Sequence, residues 1–246
     1  MRILIYLFLG VFCLTFPASS LEIQYLGHSG FFLRFAGGLR VILDPFSSSL
    51  GYPPPQEEAD LLLSSHEHPD HYNPDFLGKE VVTLAGTTNN GAEWNLFVET
   101  LGEVRFFNLP SYHDDQGGKL RGKNTLLVLE GEGMRIVHLG DLGTRLTLEE
   151  VKNLGVVSIL FLPVGGYYTI TPEEAQAMVA QLKPAVVIPM HYRTEVTATW
   201  PIAPIEEFLS LVQGFPIHKK GHGIMITKDT LPQQTEIWIL EYPKRE

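Results

Sequence analysis

Apolar residues in this chain fall mostly into short runs cut by Gly, Pro, Asn and Asp, with few long helical stripes. Leu21 to Leu26 reads as a first strand. Phe31 to Phe35 and Leu39 to Leu43 are β-prone runs separated by Gly37-Gly38, and adjacent glycines supply the positive φ of a tight turn, so a hairpin is predicted. Ser47 to Glu58, with Pro53-Pro54-Pro55, reads as a polar loop, and Asp60 to Ser65 as a short buried strand. Asn73-Pro74-Asp75 predicts a helix start: a capping side chain, Pro in the first turn, then an acid. Val81 to Ala85 predicts a strand and Gly91 to Leu101 a helix. Asn124 to Glu130 and Met134 to Leu139 predict a second hairpin around Gly131-Glu132-Gly133. Thr147 to Leu154, Pro172 to Leu182 and Ile202 to Val212 read as helices. Val156 to Leu162, Ala185 to Pro189, Gly223 to Thr227 and Glu236 to Glu241 read as strands. Early hairpins followed by alternating strands and helices predict an α/β (α+β) fold, a sandwich of sheets covered by helices. No repeat, low-complexity tract or linker divides residues 21–246, which read as one domain.

The first twenty residues follow a different pattern. Arg2 precedes an apolar run from Ile3 to Phe16, and Pro17-Ala18-Ser19-Ser20 ends it with a small-x-small motif. This predicts a signal peptide over 1–20, cleaved after Ser20, and an exported (periplasmic or secreted) product with no stable membrane anchor. Left uncleaved, the run would tether the domain to a membrane, although it is short for a span of ~20 residues. Cys13 is the only cysteine and would leave with the segment, so any metal must be held by His and carboxylates. The chain has 246 residues, 44% of them hydrophobic, enough to build a core without disulfides. Its formal net charge of -10 repels phosphate backbones, so a small-molecule substrate is expected and nucleic acid is not.

The most informative stretch is His66-Glu67-His68-Pro69-Asp70-His71, directly after a predicted strand. In extended chain His66 and His68 project to one side, and Pro69 biases His68 away from helix. The following turn can aim Asp70 and His71 at a second point nearby. Imidazoles with a carboxylate suit zinc, manganese or iron.

This cluster resembles the signature of the metallo-β-lactamase superfamily. Further segments resemble its ascorbate-6-phosphate-lactonase-like branch, itself similar to N-acylphosphatidylethanolamine-hydrolysing phospholipase D. They are Tyr25-Leu26-Gly27-His28-Ser29-Gly30-Phe31, Leu43-Asp44-Pro45-Phe46, Ser111-Tyr112-His113-Asp114 and His138-Leu139-Gly140-Asp141-Leu142-Gly143. The last runs from Pro163-Val164-Gly165-Gly166-Tyr167 through Thr171-Pro172-Glu173 to Ile188-Pro189-Met190-His191-Tyr192. The resemblance implies a single-domain, four-layer αββα sandwich with two divalent metal ions, zinc first and manganese or iron as alternatives. It implies His66, His68 and His113 as ligands of one ion, Asp70, His71 and His191 as ligands of the other, and Asp141 bridging them. It places His28 near the mouth of the site as a catalytic candidate and Asp44 behind a ligand histidine. His138 and His222 are expected to be structural or supporting, and His218 beside Lys219-Lys220 a solvated face.

The implied chemistry is hydrolysis of a small ester, lactone or phosphodiester by a metal-bridging hydroxide, with Asp70 also accepting a proton. Tyr112, Arg121, Lys123, Tyr167, Tyr168 and Tyr192 are substrate-binding candidates, with Arg121-Gly122-Lys123-Asn124 the best local basic patch for an anion, although a basic turn of this kind is commonly just solvated. Two other functions compete: a non-catalytic metal-binding or scavenging protein, and an iron-dependent redox enzyme on the same fold.

Overall fold

The computed structural model describes residues 19–54, 58–73 and 81–244. Strands β1 (Ser20–Gly27), β2 (Gly30–Arg34) and β3 (Arg40–Leu43) form an antiparallel meander. The predicted turn between the last two holds Gly38 at a φ of 91°. Strands β4 (Leu61–Ser64) and β5 (Val82–Ala85) extend the sheet in parallel. Every residue of β4 is buried, which is why it reads as a continuous apolar run instead of an alternating one.

A short ribbon, β6 (Thr87–Thr88) with β7 (Glu93–Trp94), leads to the second sheet. Its antiparallel half comprises β8 (Val98–Leu101), β9 (Val104–Tyr112), β10 (Lys123–Gly131) and β11 (Met134–His138). Its parallel half alternates with helices: α1 (Leu148–Leu154), β12 (Ile159–Pro163), α2 (Pro172–Leu182), β13 (Val186–Met190), α3 (Ile205–Leu211) and β14 (Ile217–Lys219). The chain then visits the first sheet as β15 (Gly223–Thr227), beside β1, and returns as β16 (Glu236–Ile239), between β13 and β14. The result is a six-stranded sheet, β15-β1-β2-β3-β4-β5, and an eight-stranded one, β14-β16-β13-β12-β11-β10-β9-β8.

One hydrophobic core joins residues of both sheets, and across it Phe31 of β2 stacks on Phe161 of β12 with ring centroids 4.0 Å apart. Helix α2 has the predicted bounds, its start set by a reciprocal Thr171–Glu174 capping box and Pro172 in its first turn, its end by Lys183 in the left-handed conformation. It packs through Ala175, Met178, Val179 and Leu182, the spacing of one helical face. The sandwich is the fold expected. Among the described residues all three α-helices lie in connections within the eight-stranded sheet, and the helix predicted from Asn73-Pro74-Asp75 falls outside them from residue 74 onward.

The helix expected over Gly91 to Leu101 is instead β7, a connection and β8. Trp94 donates its indole N–H to the carbonyls of Ser111 (3.0 Å) and Asn124 (3.1 Å), fixing this segment across the end of the β9–β10 pair. Phe97 alone of the following residues enters the core, while Val98 to Leu101 lie exposed on an edge strand that turns into β9 at Gly102, φ 61°. With β-branched Val98 and Thr100 and no helical face to bury, edge pairing wins.

Candidate metal centre

The residues singled out for metal binding lie just past strand ends, all on one edge of the sandwich. The cluster 66–71 follows β4, His113 follows β9, Asp141 follows β11 by a short turn, and His191 follows β13 directly. His28 follows β1 and Asp44 follows β3. His28, Asp44 and His191 adopt left-handed backbone conformations, with φ of 52°, 44° and 51°. This region disfavours residues with a Cβ, and here it breaks strand alternation and turns each side chain into the seam between the sheets. Backbone bonds hold two of the turns: His191 N–H donates to His28 O at 2.8 Å, and Asp44 N–H to Leu63 O at 2.9 Å.

The donor atoms converge in two groups. In one, His66, His68 and His113 offer ring nitrogens within 4.8 Å of one another, with His66 Nε2 3.1 Å from His68 Nδ1. In the other, an Asp70 carboxylate oxygen and ring nitrogens of His71, His191 and His28 lie equally close. Asp141 sits between them. Its Oδ1 is 3.1 Å from His71 Nε2, and its Oδ2 is 3.1 Å from His113 Nε2 and 3.3 Å from His191 Nε2. Yet His71 Nε2, His191 Nε2 and Asp141 Oδ1 are all buried without a hydrogen-bond partner, despite these short separations. Buried polar atoms in proteins are nearly always bonded. Lone pairs aimed at a shared point instead of at each other are what a cation requires, so the donor set fits bound divalent metal.

Electrostatics agree. Burial alone would lower the His71 pKa, but the carboxylates of Asp141, Asp44 and Asp70 outweigh it and hold that pKa well above the ordinary range. Burial would raise the Asp141 carboxyl, but His191, His71 and His113 hold it well below its usual range. A cation would replace a proton in such a site. His66 is pushed well down by burial and then by His71.

The outer contacts fix ring orientation. Asp44, fully buried, accepts from His71 Nδ1 at 2.7 Å and from the Ser65 hydroxyl (2.7 Å) and backbone N–H (2.6 Å). The Ser65 Oγ also lies 2.9 Å from His66 Nδ1, so one carboxylate steadies a histidine of each group. Ser64 Oγ donates to the carbonyls of His66 and His71, and Asn124 Oδ1 accepts the Asp141 N–H at 3.1 Å. The pattern of the sequence did not mark Ser64, Ser65 or Asn124 as supports. Small hydroxyl residues directly before the cluster were the available signal.

His28 differs from its expected place. It is fully buried below Asp70, not at the mouth, with Nε2 3.1 Å from Asp70 Oδ2 and its ring 4.2 Å from that of His191. Burial and then His191 lower its pKa to about 4. Asp70, with 23% of its side chain exposed, reaches the open side of the centre. His138 is buried and bonded to Ser29 O, and exposed His218 pairs with Glu236. His222 lies against Glu241 O.

A cleft of about 540 Å³ opens onto the centre, with His68, Asp70, His113 and Asp141 among its lining residues. Of the substrate-binding candidates, Arg121 and Tyr168 line it. Tyr192 does not: it is buried behind the centre with its ring 6.5 Å from that of Tyr25. Nor do Tyr112 and Lys123, paired in register across β9 and β10, where both cover Trp94. Tyr167 is 61% exposed and outside the lining. Trp200, Leu50 and Leu120 line the cleft, and no periodicity in the sequence marked them.

Two stacked sheets carrying a His/Asp centre of this composition on their edge define a metallo-β-lactamase-fold, metal-dependent hydrolase. Residues 22–191 match the family described as Beta-lactamase superfamily domain, and the chain belongs to that family. A UPF0173 metal-dependent hydrolase of Thermococcus onnurineus is 32% identical over 212 residues, covering 78% of this chain and 92% of the relative. The crystal structure of a protein described as a Zn-dependent hydrolase of the metallo-β-lactamase superfamily, from Thermotoga maritima, superposes with a TM-score of 0.70 at 27% identity, covering 90% of this chain and 99% of that one. The fold is also shared with Igni18, a metallo hydrolase of Ignicoccus hospitalis, at a TM-score of 0.60 and 20% identity over 92% of this chain and 97% of that one.

Proposed function

We propose that the chain hydrolyses a small ester, lactone or phosphodiester at a dinuclear centre. His66, His68 and His113 would hold one divalent ion, Asp70, His71 and His191 the other, and Asp141 both. The observation that carries this reading is the pair of donor groups with Asp141 between them, and the unbonded inward atoms Asp141 Oδ1, His71 Nε2 and His191 Nε2. Two such ions supply an activated water near neutral pH and polarise the substrate's carbonyl or phosphoryl oxygen.

The protein's own part is positional. Asp70 reaches the cleft with one carboxylate oxygen steadied by His28, so it can take a proton from the attacking water. Asp44 and Ser65 keep the His71 and His66 nitrogens aimed inward. Leu50, Tyr168 and Trp200 give the cleft apolar surface against which a small substrate can exclude water.

Purified protein should carry two equivalents of zinc, manganese or iron by elemental analysis and turn over members of an ester, lactone and phosphodiester panel. His66→Ala and Asp141→Ala should each abolish turnover. One equivalent of metal would sink the dinuclear assignment, and full activity in both variants would sink the mechanism. Iron-dependent oxygen uptake without hydrolysis would favour a redox enzyme, and tight metal uptake with no turnover a scavenging protein. Export is proposed too, supported by the charge and hydropathy pattern of residues 1–20. N-terminal sequencing of exported protein should begin at Leu21; an intact Met1 in a cytoplasmic fraction would overturn it.

A further inference from the structure

The loop after the ligand His113 carries a second structural device. The Asp114 carboxylate, 2% exposed as a residue, accepts backbone N–H bonds from Gln116, Gly118, Leu120 and Arg121 at 2.8, 2.9, 2.9 and 2.8 Å. The loop closes on the ligand itself, since His113 N–H donates to Gly122 O at 3.2 Å and Gly122 N–H to Gly118 O at 3.0 Å. Gly118 and Gly122 take φ of 78° and 86°, which this tight return requires. So many bonds on one carboxylate make the loop a rigid mount, and what it presents to the cleft is Leu120 and Arg121.

Arg121 makes no ion pair among the described residues; its guanidinium lies over the Tyr168 ring, 5.6 Å from the centroid. At that distance the ring face attracts the cation without using its N–H groups, which stay free to bond. Tyr168 in turn meets Trp200 edge-on at 6.1 Å, and Leu50 lines the same cleft. An unpaired cation on a rigid mount, beside a hydrolytic centre in a chain of net charge -10, is the chemistry of an anion anchor.

We infer that Arg121 is a specificity-determining residue: the substrate carries a carboxylate or phosphate group away from the bond that is cut, held by the guanidinium fork, with a planar or apolar body against Tyr168, Trp200 and Leu50. Asp114 is the positioning residue that holds the fork in place. This rests on reading the adjacent centre as hydrolytic, but its test does not need turnover.

Metal-loaded protein is titrated calorimetrically with phenylacetate, benzylphosphonate and neutral phenylacetamide, as wild type, Arg121→Ala and Arg121→Lys. Metal content and thermal midpoint are checked for each. At least one anion should bind about 10- to 100-fold more weakly to Arg121→Ala, the worth of a charge-assisted bond pair, and the amide should not discriminate between the proteins. Arg121→Lys should recover only part, because it keeps the charge without the fork. Whichever anion shows the larger loss identifies carboxylate or phosphate as the group recognised. Anion affinities within twofold of wild type in Arg121→Ala would overturn the inference, since the anions would then be held by the metals alone. A lysine variant equal to wild type would overturn the fork contact. If the contrast holds and no ester, lactone or phosphodiester is cut, the hydrolase reading fails while the anion site stands.

Discussion

Asp44→Asn tests the orientation of the centre without touching a metal ligand. Asp44 is fully buried and accepts three hydrogen bonds, from Ser65 N–H at 2.6 Å, Ser65 O–H at 2.7 Å and His71 Nδ1 at 2.7 Å. Asparagine keeps one oxygen, which can still face the Ser65 backbone. Its amide nitrogen then falls where Oδ2 was and meets the His71 Nδ1–H donor head-on. The imidazole must shed that proton to its other nitrogen, and Nε2, 3.1 Å from Asp141 Oδ1, loses the lone pair it aims at the centre. Hydrogen bonds to charged groups contribute about 1.5–3 kcal/mol. Loss of an outer partner of a ligating histidine typically costs roughly 10- to 100-fold in metal affinity, or about 1.4–2.7 kcal/mol, so two independent arguments meet at one magnitude.

The assay is stepwise metal titration against a chromophoric chelator. One equivalent, that of Asp70, His71 and His191, should weaken by that factor, and the other, which Asp44 reaches only through the Ser65 hydroxyl, should weaken less. Ser65→Ala removes the link to His66 Nδ1 and should weaken the other step instead. Two equivalents bound to Asp44→Asn with unchanged affinities would refute the reasoning, because the tautomer of His71 would then not depend on this carboxylate.

Chelation of a protein saturated at about 100 times its dissociation constant should remove roughly 2.7 kcal/mol of stability per ion, a fall of about 5–10 °C in Tm for a domain of this size, read by calorimetry with and without chelator. Gly140→Ala should cost about 1–3 kcal/mol in urea unfolding, since Gly140 has a φ of 55° and its new methyl would run into Asn124 Oδ1 and the Ser65 side chain. The Arg40 guanidinium holds the Asp60 carboxyl below the usual range by hydrogen bonding, with Nη2 2.8 Å from Oδ1. A depressed folded pKa means stability that is present above about pH 4 and lost as pH falls through the folded value. The stability gap between wild type and Asp60→Asn should therefore close on acidification, and because the pair is partly exposed the gap should stay under about 1 kcal/mol and shrink with salt.

What could be read from sequence depended on whether signals were local. Four candidate metal donors packed into residues 66–71 declare a site without any knowledge of the fold, and α2 declares its start through Thr171, Pro172 and Glu174. The remote donors His113, Asp141 and His191 were legible only through resemblance, because each is a lone residue at a strand end. Adjacency to a ligand misled for the tyrosines. Tyr112 precedes His113 along extended chain, where consecutive side chains point apart, and Tyr192 follows the left-handed turn at His191, which swings the two side chains to different sides. The step that carries a ligand into the centre therefore carries its neighbour out of it, onto Trp94 in one case and toward Tyr25 in the other. Trp200 and Arg121 reach the cleft from loops whose course no periodic pattern encodes.

The left-handed backbone at His28, Asp44 and His191 explains why the rest of the centre was hidden. A left-handed turn is usually announced by glycine, and here three positions adopt it with side chains the site cannot spare. Each holds a conformation that costs of order 1–3 kcal/mol, so surrounding structure must impose it. The His191–His28 backbone bond runs from the end of β13 in one sheet to the end of β1 in the other. Thr125 of β10 crosses the same seam, donating through its N–H (3.1 Å) and hydroxyl (2.8 Å) to Ser65 O. These bonds form only when the sheets have docked. It follows that the donor geometry of this centre is a product of tertiary structure: packing the two sheets sets the strained turns, the turns aim the donors, and bound metal would then stabilise an arrangement that no segment of the chain would hold alone.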